Sequence, residues 1–529
     1  MYSGRAQRLS RVALAAATAA AVLTFVQPFD PLGAQTPPPP APPEVIDPNL
    51  SVRTVVSGLN LPIGFTFIGR NDMLVLEKNT GRVVRVTNGV VQDPPVLDLA
   101  VNNFSERGLL GIALHPFFPF NRGVYLFWSC RTAAAPADPF VPAAERCDDS
   151  LMLGEDSEEV LDVPLLGNRV DRFEWTGSQL VFDRNLIMIR SFQNDAAPQP
   201  PGQGDEMQPA RGNHNGGVIR FGFDRKLYVI VGDVGRRGQL QNLEFGPTPP
   251  TDDDQFGGPE PDDAHLTGVV LRLNDNGSAP SDNPFFQIGR RIGGEVGGNI
   301  QKIFAYGIRN SFGMAVDPFS GGLWIQVNGD DSFDEIQRVT PGLNSGWIQT
   351  IGPIRRIDQF KQIETTFAVP PATPSLQQLR WPPSNIADSP DEARERLFML
   401  PGAQYRDPQF SWRWAVAPAG IGFMRGFGLG VRYLGDLFVG ASVPLLEGGY
   451  IFRFNLSRNR RDLDLSAEGL RDRVADNTMK HDITESESLL FGRNFGVGTD
   501  IKTGPNGNLF VVSLSNGSIY EIFRVRERN

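Results

Sequence analysis

One of the four histidines in this chain has a setting suited to acid–base chemistry. His214 stands in the segment 212–217 (GNHNGG), directly before an apolar run typical of a β-strand. The glycines allow a ligand to approach the backbone closely. Asp233 follows after one strand–turn–strand passage, and because a hairpin returns to its start, we expect both side chains at the same rim. A histidine beside a carboxylate predicts a general base, and a structural histidine that caps a turn is the alternative.

A second candidate site is the acidic segment 329–335 (GDDSFDE). Its carboxylates, those of Asp330, Asp331, Asp334 and Glu335, repel one another unless a cation or solvent lies between them. Carboxylate and backbone carbonyl oxygens are ligands that suit Ca²⁺. The spacing is not that of an EF-hand loop, so a solvated acidic loop is an equal alternative.

A third candidate is the pair Arg309–Asn310, which lies between two glycine-bearing turns in the segment 306–311 (YGIRNS). The guanidinium and the amide could hold a polar or anionic ligand. The alternative is an arginine that forms an ion pair within the rim of the fold.

The chain has two cysteines, Cys130 and Cys147. They flank a polar insertion rich in proline and alanine. In an exported protein, a disulfide that closes this loop is the default expectation. A zinc site would need a histidine nearby, and the sequence offers none there.

The elements that carry these residues are predicted to be β-strands. The 529 residues include 57 glycines and 43 prolines, too many for a bundle of long helices. A pattern of apolar strand, tight turn and apolar strand occurs six times, near residues 64, 111, 217, 313, 420 and 500. Each copy is followed by further strands, so the prediction is an all-β fold, a six-bladed β-propeller with long inter-strand loops over residues 49–529. A pair of β-sandwiches is the alternative.

The N-terminus has the pattern of a targeting segment. Basic residues precede the apolar run 12–26, which is short for a membrane span of about 20 residues. We therefore expect a signal peptide over 1–34, a proline-rich linker over 35–48, and a periplasmic or secreted protein without a stable membrane span in its mature chain. An uncleaved anchor is the alternative. The net charge of −10 argues against nucleic acid as a partner.

These segments together resemble the glucose/sorbosone dehydrogenase family of soluble enzymes that depend on pyrroloquinoline quinone (PQQ). The resemblance spans about residues 50 to 523. Seven segments carry it, at positions 58–64, 106–116, 214–235, 266–285, 303–318, 329–347 and 414–423. Among them, 106–116 reads ERGLLGIALHP, 214–235 reads HNGGVIRFGFDRKLYVIVGDVG, and 303–318 includes YGIRNSFG.

The resemblance implies a six-bladed propeller that oxidises an aldose sugar or a related alcohol to the lactone or carbonyl and passes electrons to an external acceptor. His214 would be the general base and Asp233 would contribute to the cofactor site. Glu106, Arg309 and Asn310 would lie at the quinone. The calcium ligands that the resemblance implies are Gly329, Asp330, Glu335 and Ser345.

The sequence departs from the family where the glucose enzymes place cations for the carboxylates of PQQ. The stretch 440–449 contains no lysine, and the stretch 494–500 contains no Arg-x-Arg. In addition, Phe312 replaces the glutamine that follows the Arg-Asn pair in the family. Two alternatives therefore remain beside the dehydrogenase. One is a propeller without PQQ that binds carbohydrate or protein, and the other is a calcium-dependent hydrolase similar to a lactonase.

Overall fold

A computed structural model describes residues 41–131, 166–191, 212–234, 266–366, 386–443 and 448–525. The predicted signal peptide, the linker up to residue 40 and Cys147 lie outside these ranges. Cys130 is buried at the end of a strand, and its disulfide with Cys147 stays a prediction. No helix within the described ranges is both long enough and apolar enough to cross a membrane.

The first third of the chain forms two antiparallel sheets, with strand orders β3-β4-β5-β6 and β11-β10-β9-β8. Strand β7 also pairs with β5, while β1 and β2 join sheets formed near the C-terminus. The strands are β1 (Glu44–Val45), β2 (Leu50–Val56), β3 (Pro62–Gly69), β4 (Asp72–Glu77), β5 (Arg82–Thr87), β6 (Val90–Val91), β7 (Leu97–Asp98), β8 (Leu109–Leu114), β9 (Gly123–Ser129), β10 (Asn168–Trp175) and β11 (Leu180–Ile189).

The middle third forms two sheets, with strand orders β12-β13-β14-β15-β19-β20 and β16-β17-β18-β21-β26. The strands are β12 (Ile219–Phe221), β13 (Leu227–Val231), β14 (Val269–Leu273), β15 (Ile303–Tyr306), β16 (Met314–Val316), β17 (Leu323–Val327), β18 (Ser332–Val339), β19 (Leu343–Asn344), β20 (Gln404–Tyr405) and β21 (Phe410–Trp414). The described α-helices are α1 (Phe286–Ile292), α2 (Gly294–Ile300), α3 (Ile357–Thr366) and α4 (Pro390–Glu395).

The last third completes two more sheets, with strand orders β1-β27-β24-β23-β22 and β2-β30-β29-β28. The remaining strands are β22 (Pro418–Phe423), β23 (Leu437–Ala441), β24 (Tyr450–Leu456), β25 (Leu463–Asp464), β26 (Val474–Ala475), β27 (Leu490–Arg493), β28 (Gly498–Thr503), β29 (Leu509–Ser513) and β30 (Ser518–Arg524). Short 3₁₀ helices cover Ile354–Arg356, Val431–Tyr433, Glu468–Leu470 and Glu487–Leu489. Because β2 pairs with β30, the N-terminal strand closes the last sheet.

The sheets are arranged as a β-propeller. The first strands of the sheets, β3, β8, β12, β16, β22 and β28, contact one another in that order, and β28 contacts β3. Neighbouring inner strands run in the same direction, because Gly420 lies beside residues 499–500 and Gly422 lies beside Ile501. A Cβ on Gly422 would lie 2.0 Å from the carbonyl oxygen of Ile501, so this close approach requires glycine.

The predicted all-β class and propeller arrangement are confirmed, and the number of strands varies from sheet to sheet. Two sheets have four strands, and the others have five or six because loop segments add short edge strands. The second strands, such as β13 and β17, are buried along their whole length. A strand covered on both faces by neighbouring sheets reads as a continuous apolar run, as in 227–231 (LYVIV).

Candidate active site

His214 lies in the segment that leads into β12, and its backbone is held in a conformation rare for residues with a side chain. Its φ is +59°, which is in the left-handed region and costs on the order of 1 kcal/mol or more. The His214 N–H donates to Oε2 of Glu106 over 2.7 Å. Glu106, which precedes β8, therefore fixes the direction of the histidine.

The imidazole of His214 is buried and hydrogen-bonded to Asp233, as the hairpin argument predicted. Nδ1 of His214 lies 2.6 Å from Oδ1 of Asp233, and the two residues are 4% and 1% exposed. Gly232 makes this approach possible, since a Cβ there would lie 2.2 Å from the carbonyl oxygen of His214. A carboxylate at Nδ1 favours the tautomer with its proton on Nδ1, which leaves the Nε2 lone pair available as a base.

Asp233 is held by two further contacts. Its N–H donates to the carbonyl oxygen of Arg309 over 2.8 Å. Its Oδ2 accepts from Nε1 of Trp347 over 2.9 Å. Trp347 lies in the loop after β19, a strand of the same sheet as β12 and β13, so residues distant in the sequence fix the position of one carboxylate.

The pair Arg309–Asn310 reaches the same place, and its two side chains have different partners. Nδ2 of Asn310 donates to Oε2 of Glu106 over 3.0 Å, the oxygen that also accepts from His214. Arg309 donates to the carbonyls of Asn328 and Gly329 over 3.1 and 2.9 Å. Its guanidinium also lies 5.5 Å from the centre of the Trp347 ring.

Arg309 forms the rim ion pair that the sequence left as an alternative. Its Nη2 lies 3.3 Å from Oδ1 of Asp330. The Nε of Arg309 is buried and has no hydrogen-bond partner within the described residues.

The structure gives the carboxylates of the acidic segment different partners. Asp331 forms an ion pair with Lys480. Asp334 accepts from the N–H groups of Gly329, Val416 and Ala417 over 2.8, 2.6 and 2.8 Å. Burial raises the pKa of Asp334 to about 6 against the opposite effect of these three amides.

Oε1 of Glu335 accepts from the N–H of Gly352 over 2.6 Å. Burial, with a smaller effect of Asp407, raises the pKa of Glu335 to about 8. Ser345 is buried and its Oγ accepts from Nε2 of Gln337 over 3.3 Å. No set of three or more His, Cys, Asp or Glu side chains in the described ranges forms a group that could hold a metal ion.

The family model "Glucose / Sorbosone dehydrogenase" matches residues 59–354, more than half of the chain. The chain belongs to the glucose/sorbosone dehydrogenase family. Members of this family are sugar-oxidising oxidoreductases.

Two characterised members of the family are similar to part of the chain. Quinoprotein glucose dehydrogenase B of Acinetobacter calcoaceticus is 27% identical over 58% of this chain and 53% of its own length. Aldose sugar dehydrogenase YliI of Escherichia coli is 26% identical over 60% of this chain and 61% of its own length. The chain therefore matches only about half to three-fifths of the length of these two relatives.

A solved structure of an aldose sugar dehydrogenase has a similar fold. The PQQ-bound form of aldose sugar dehydrogenase from Streptomyces coelicolor aligns with 90% of this chain and 98% of its own, with a TM-score of 0.51 and 18% identity. At this identity the likeness concerns the fold alone.

Sequence reasoning about this family member missed three residues that the structure places at or near the site. Trp347 had no distinguishing signal beyond its position after glycine. Lys78 is buried near Glu106, and its Nζ donates to the carbonyl of Ser105 over 2.9 Å. Burial lowers the pKa of Lys78 to about 8, although Glu106 acts in the opposite direction.

The third residue is Glu364 on α3, in a long insertion after the acidic segment. Its Oε1 accepts from Oγ of Ser332 over 2.7 Å, and its Oε2 is buried without a partner among the described residues. Burial, Asp330 and Asp331 raise the pKa of Glu364 to about 8. A glutamate in an amphipathic insertion gives no signal of such a contact before the fold is known.

Proposed function

We propose that this protein is an exported dehydrogenase that oxidises the C1 hydroxyl of an aldose or a related alcohol and uses PQQ as its cofactor. The observation that carries the proposal is the buried His214–Asp233 pair, whose carboxylate is fixed on its other side by Trp347. A histidine in this setting is suited to remove a proton at neutral pH.

The chemistry of the protein residues follows from the tautomer. Nε2 of His214 takes the proton of the sugar hydroxyl, and Asp233 stabilises the imidazolium that results. Glu106 holds the backbone of His214, and through the same oxygen it orients the amide of Asn310. His214 and Asn310 are therefore in place before the substrate arrives, which lowers the entropic cost of orienting the reacting groups.

The described residues fit the quinone end of PQQ, which supplies the hydride acceptor when it is bound. Asn310 and Arg309, which lie beside Glu106 and Trp347, are the side chains that would hold it. The cations available to its carboxylates are Arg309 and Lys78. Lys78, on the turn after β4, comes from a different part of the chain than the family's lysine.

Calcium is part of the proposal. Glu335, with backbone carbonyls such as that of Ser345, would hold a structural ion, and the carbonyls of Gly329 and Asp330 would face the cofactor's ion. Hard oxygen ligands of this kind suit Ca²⁺. A buried carboxyl with a raised pKa next to Asp407 is a group that a divalent cation would stabilise.

The architecture and location of the protein complete the proposal. Each of the six sheets would act as one blade of a propeller domain over residues 49–529, supported by the closed order of contacts among the inner strands. A cleaved signal peptide over 1–34 and a linker over 35–48 would deliver this domain to the periplasm or the medium, where an external acceptor takes the electrons.

The second candidate function is a propeller that binds carbohydrate or protein without PQQ. It is favoured by a specific observation at the active-site end of the inner strands. There Ser442 and Val443 follow β23, Val497 precedes β28 and Thr499 is the second residue of β28, and none of them supplies a positive charge.

The test is reconstitution of the purified protein with PQQ and Ca²⁺, followed by a dye-linked assay on a panel of aldoses. We expect turnover, and His214→Ala and Asp233→Asn should each fold normally and lose at least about 10²-fold in kcat. Asp224→Asn, a carboxylate at the distant turn between β12 and β13, is the matched control and should retain activity. Absence of both PQQ binding and turnover would favour the binding module instead.

A further inference from the structure

A cavity lies at the opposite end of the inner strands from His214. It has a volume of about 310 Å³ and is lined by residues from every inner strand, among them Phe67, Leu114, Phe221, Val316, Phe423 and Thr503. These residues stand at the C-terminal ends of their strands. Glu106, His214 and Asn310 precede the N-terminal ends of β8, β12 and β16, so the cavity is separate from the candidate active site.

Three cationic side chains line this cavity: Arg220, Arg425 and Lys502. Nη2 of Arg220 lies 2.8 Å from Oδ1 of Asp500, and Nζ of Lys502 lies 2.6 Å from Oδ2 of the same carboxylate. Asp500 therefore balances one of the three positive charges. A surplus of two positive charges remains at this end of the channel.

Arg425 is the cation that Asp500 does not bind in the described structure. Its Nη2 donates to the carbonyl oxygen of Val316 over 3.1 Å. The other carboxylate near it is Asp317, which Nε of Arg460 contacts over 2.9 Å. Arg460 thus neutralises Asp317 and leaves the surplus unchanged.

The cations act on one another. Arg425 is exposed to solvent in part, and Arg220 repels its guanidinium. Burial, with repulsion from Arg220 and Arg425, lowers the pKa of Lys502 to about 8. An anion in the cavity would relieve both the desolvation and the repulsion, because an opposite charge within a few ångströms favours the charged form.

We infer that this end of the propeller channel is a binding site for a small organic anion with one or two carboxylates on an apolar skeleton. Arg425 provides the main charged contact to the anion, and Lys502 and Arg220 add to the positive electrostatic potential. The walls combine polar and apolar surface, and the apolar part includes three phenylalanine side chains from β3, β12 and β22. Such walls favour a carbon skeleton over a hydrated inorganic ion, since burial of apolar surface adds to the affinity.

The test uses isothermal titration calorimetry of the purified full chain with isophthalate, a rigid dicarboxylate with an apolar ring. We expect binding with a stoichiometry of one, weakened by added salt. Arg425→Gln should reduce the affinity about tenfold or more, as expected for a charge-assisted contact, and Arg425→Lys should retain most of it. Arg82→Gln, an exposed arginine on β5, and His214→Ala should bind as the unmodified protein does.

Three results would overturn the inference. The first is that isophthalamide, which is neutral and of the same shape, binds as tightly as isophthalate. The second is that Arg425→Gln leaves the affinity unchanged. The third is that inorganic phosphate binds while isophthalate does not, which would reject the organic skeleton. If Arg425→Gln does not fold, Arg425→Lys and the comparison with isophthalamide decide the question.

Discussion

Nε1 of Trp347 lies 2.9 Å from Oδ2 of Asp233, while Oδ1 of the same carboxylate lies 2.6 Å from the imidazole of His214. Both oxygens of Asp233 are therefore held from different sides, and the carboxylate cannot rotate without losing one of the two bonds. Arg309 lies over the face of Trp347. The tryptophan acts as a positioning residue for the proposed base rather than as a group that touches substrate.

Trp347→Phe removes this hydrogen bond and keeps the ring beneath Arg309. We expect kcat of the reconstituted enzyme to fall about tenfold with little change in KM, since a bond to a charged group contributes about 1.5–3 kcal/mol. Trp324→Phe is the matched control. The Nε1 of Trp324 is buried without a partner in the described ranges, so this variant should keep its activity. Equal losses of kcat in both variants would show that Trp347 contributes through packing and not through its hydrogen bond to Asp233.

Calcium removal should lower the melting temperature. A cation that binds only the folded state stabilises it by about 2.7 kcal/mol at a hundredfold excess over Kd, so we expect a chelator to lower Tm by a few degrees. Glu335→Gln should abolish most of this response, and His214→Ala should retain it.

Glu364→Gln is the sharper control for calcium, because it removes another buried carboxyl beside the same acidic segment. The response to chelator should persist in this variant. A Tm that is indifferent to chelator, together with no calcium in protein purified without chelator, would reduce the segment to a set of hydrogen-bonded turns.

Lys78 should make the stability depend on pH above neutrality. Burial lowers its pKa from 10.5 to about 8 in the folded state. Between these values the unfolded chain binds more protons than the folded one, so the free energy of unfolding rises as pH rises. The contribution of Lys78 amounts to about 2 kcal/mol between pH 7.5 and 9.5.

Urea unfolding gives the change in free energy of unfolding between these two pH values for the unmodified protein and for Lys78→Met. The difference between the two changes is the contribution of Lys78. The comparison removes the effect of Lys502, whose pKa is lowered in the same way. Lys361→Met, on the surface helix α3, should show the slope of the unmodified protein. Parallel pH profiles for Lys78→Met and the unmodified protein would contradict the expectation.

The predicted disulfide between Cys130 and Cys147 has a direct chemical test. We expect no free thiol in the denatured, unreduced protein, because closure of a loop of about 16 residues stabilises the fold by roughly 3 kcal/mol in the entropy model. Labelling with a thiol reagent before and after reduction counts the cysteines. Two labelled thiols per chain without reduction would contradict the disulfide.

Short-range features of this protein could be predicted from its sequence. Alternation of apolar strands with tight turns predicted the all-β class and the propeller arrangement. The approach of Asp233 to His214 followed from a single hairpin, because β12 and β13 pair with their nearest neighbours in the chain. In such cases the covalent connection itself limits where the second residue can lie.

Tertiary structure alone decided which residues distant in the sequence meet. Glu106 reaches His214 across 108 positions, and Trp347 reaches Asp233 across 114. The four acidic residues of 330–335 form one cluster in the sequence. In the structure they have separate partners, because successive side chains of β18 point to opposite faces of the sheet and different loops surround them. Arg220, Arg425 and Lys502 likewise gave no common signal, because they come together only where three inner strands end at the same mouth of the ring. Local pattern determines the strands, and the closure of the ring determines the neighbours.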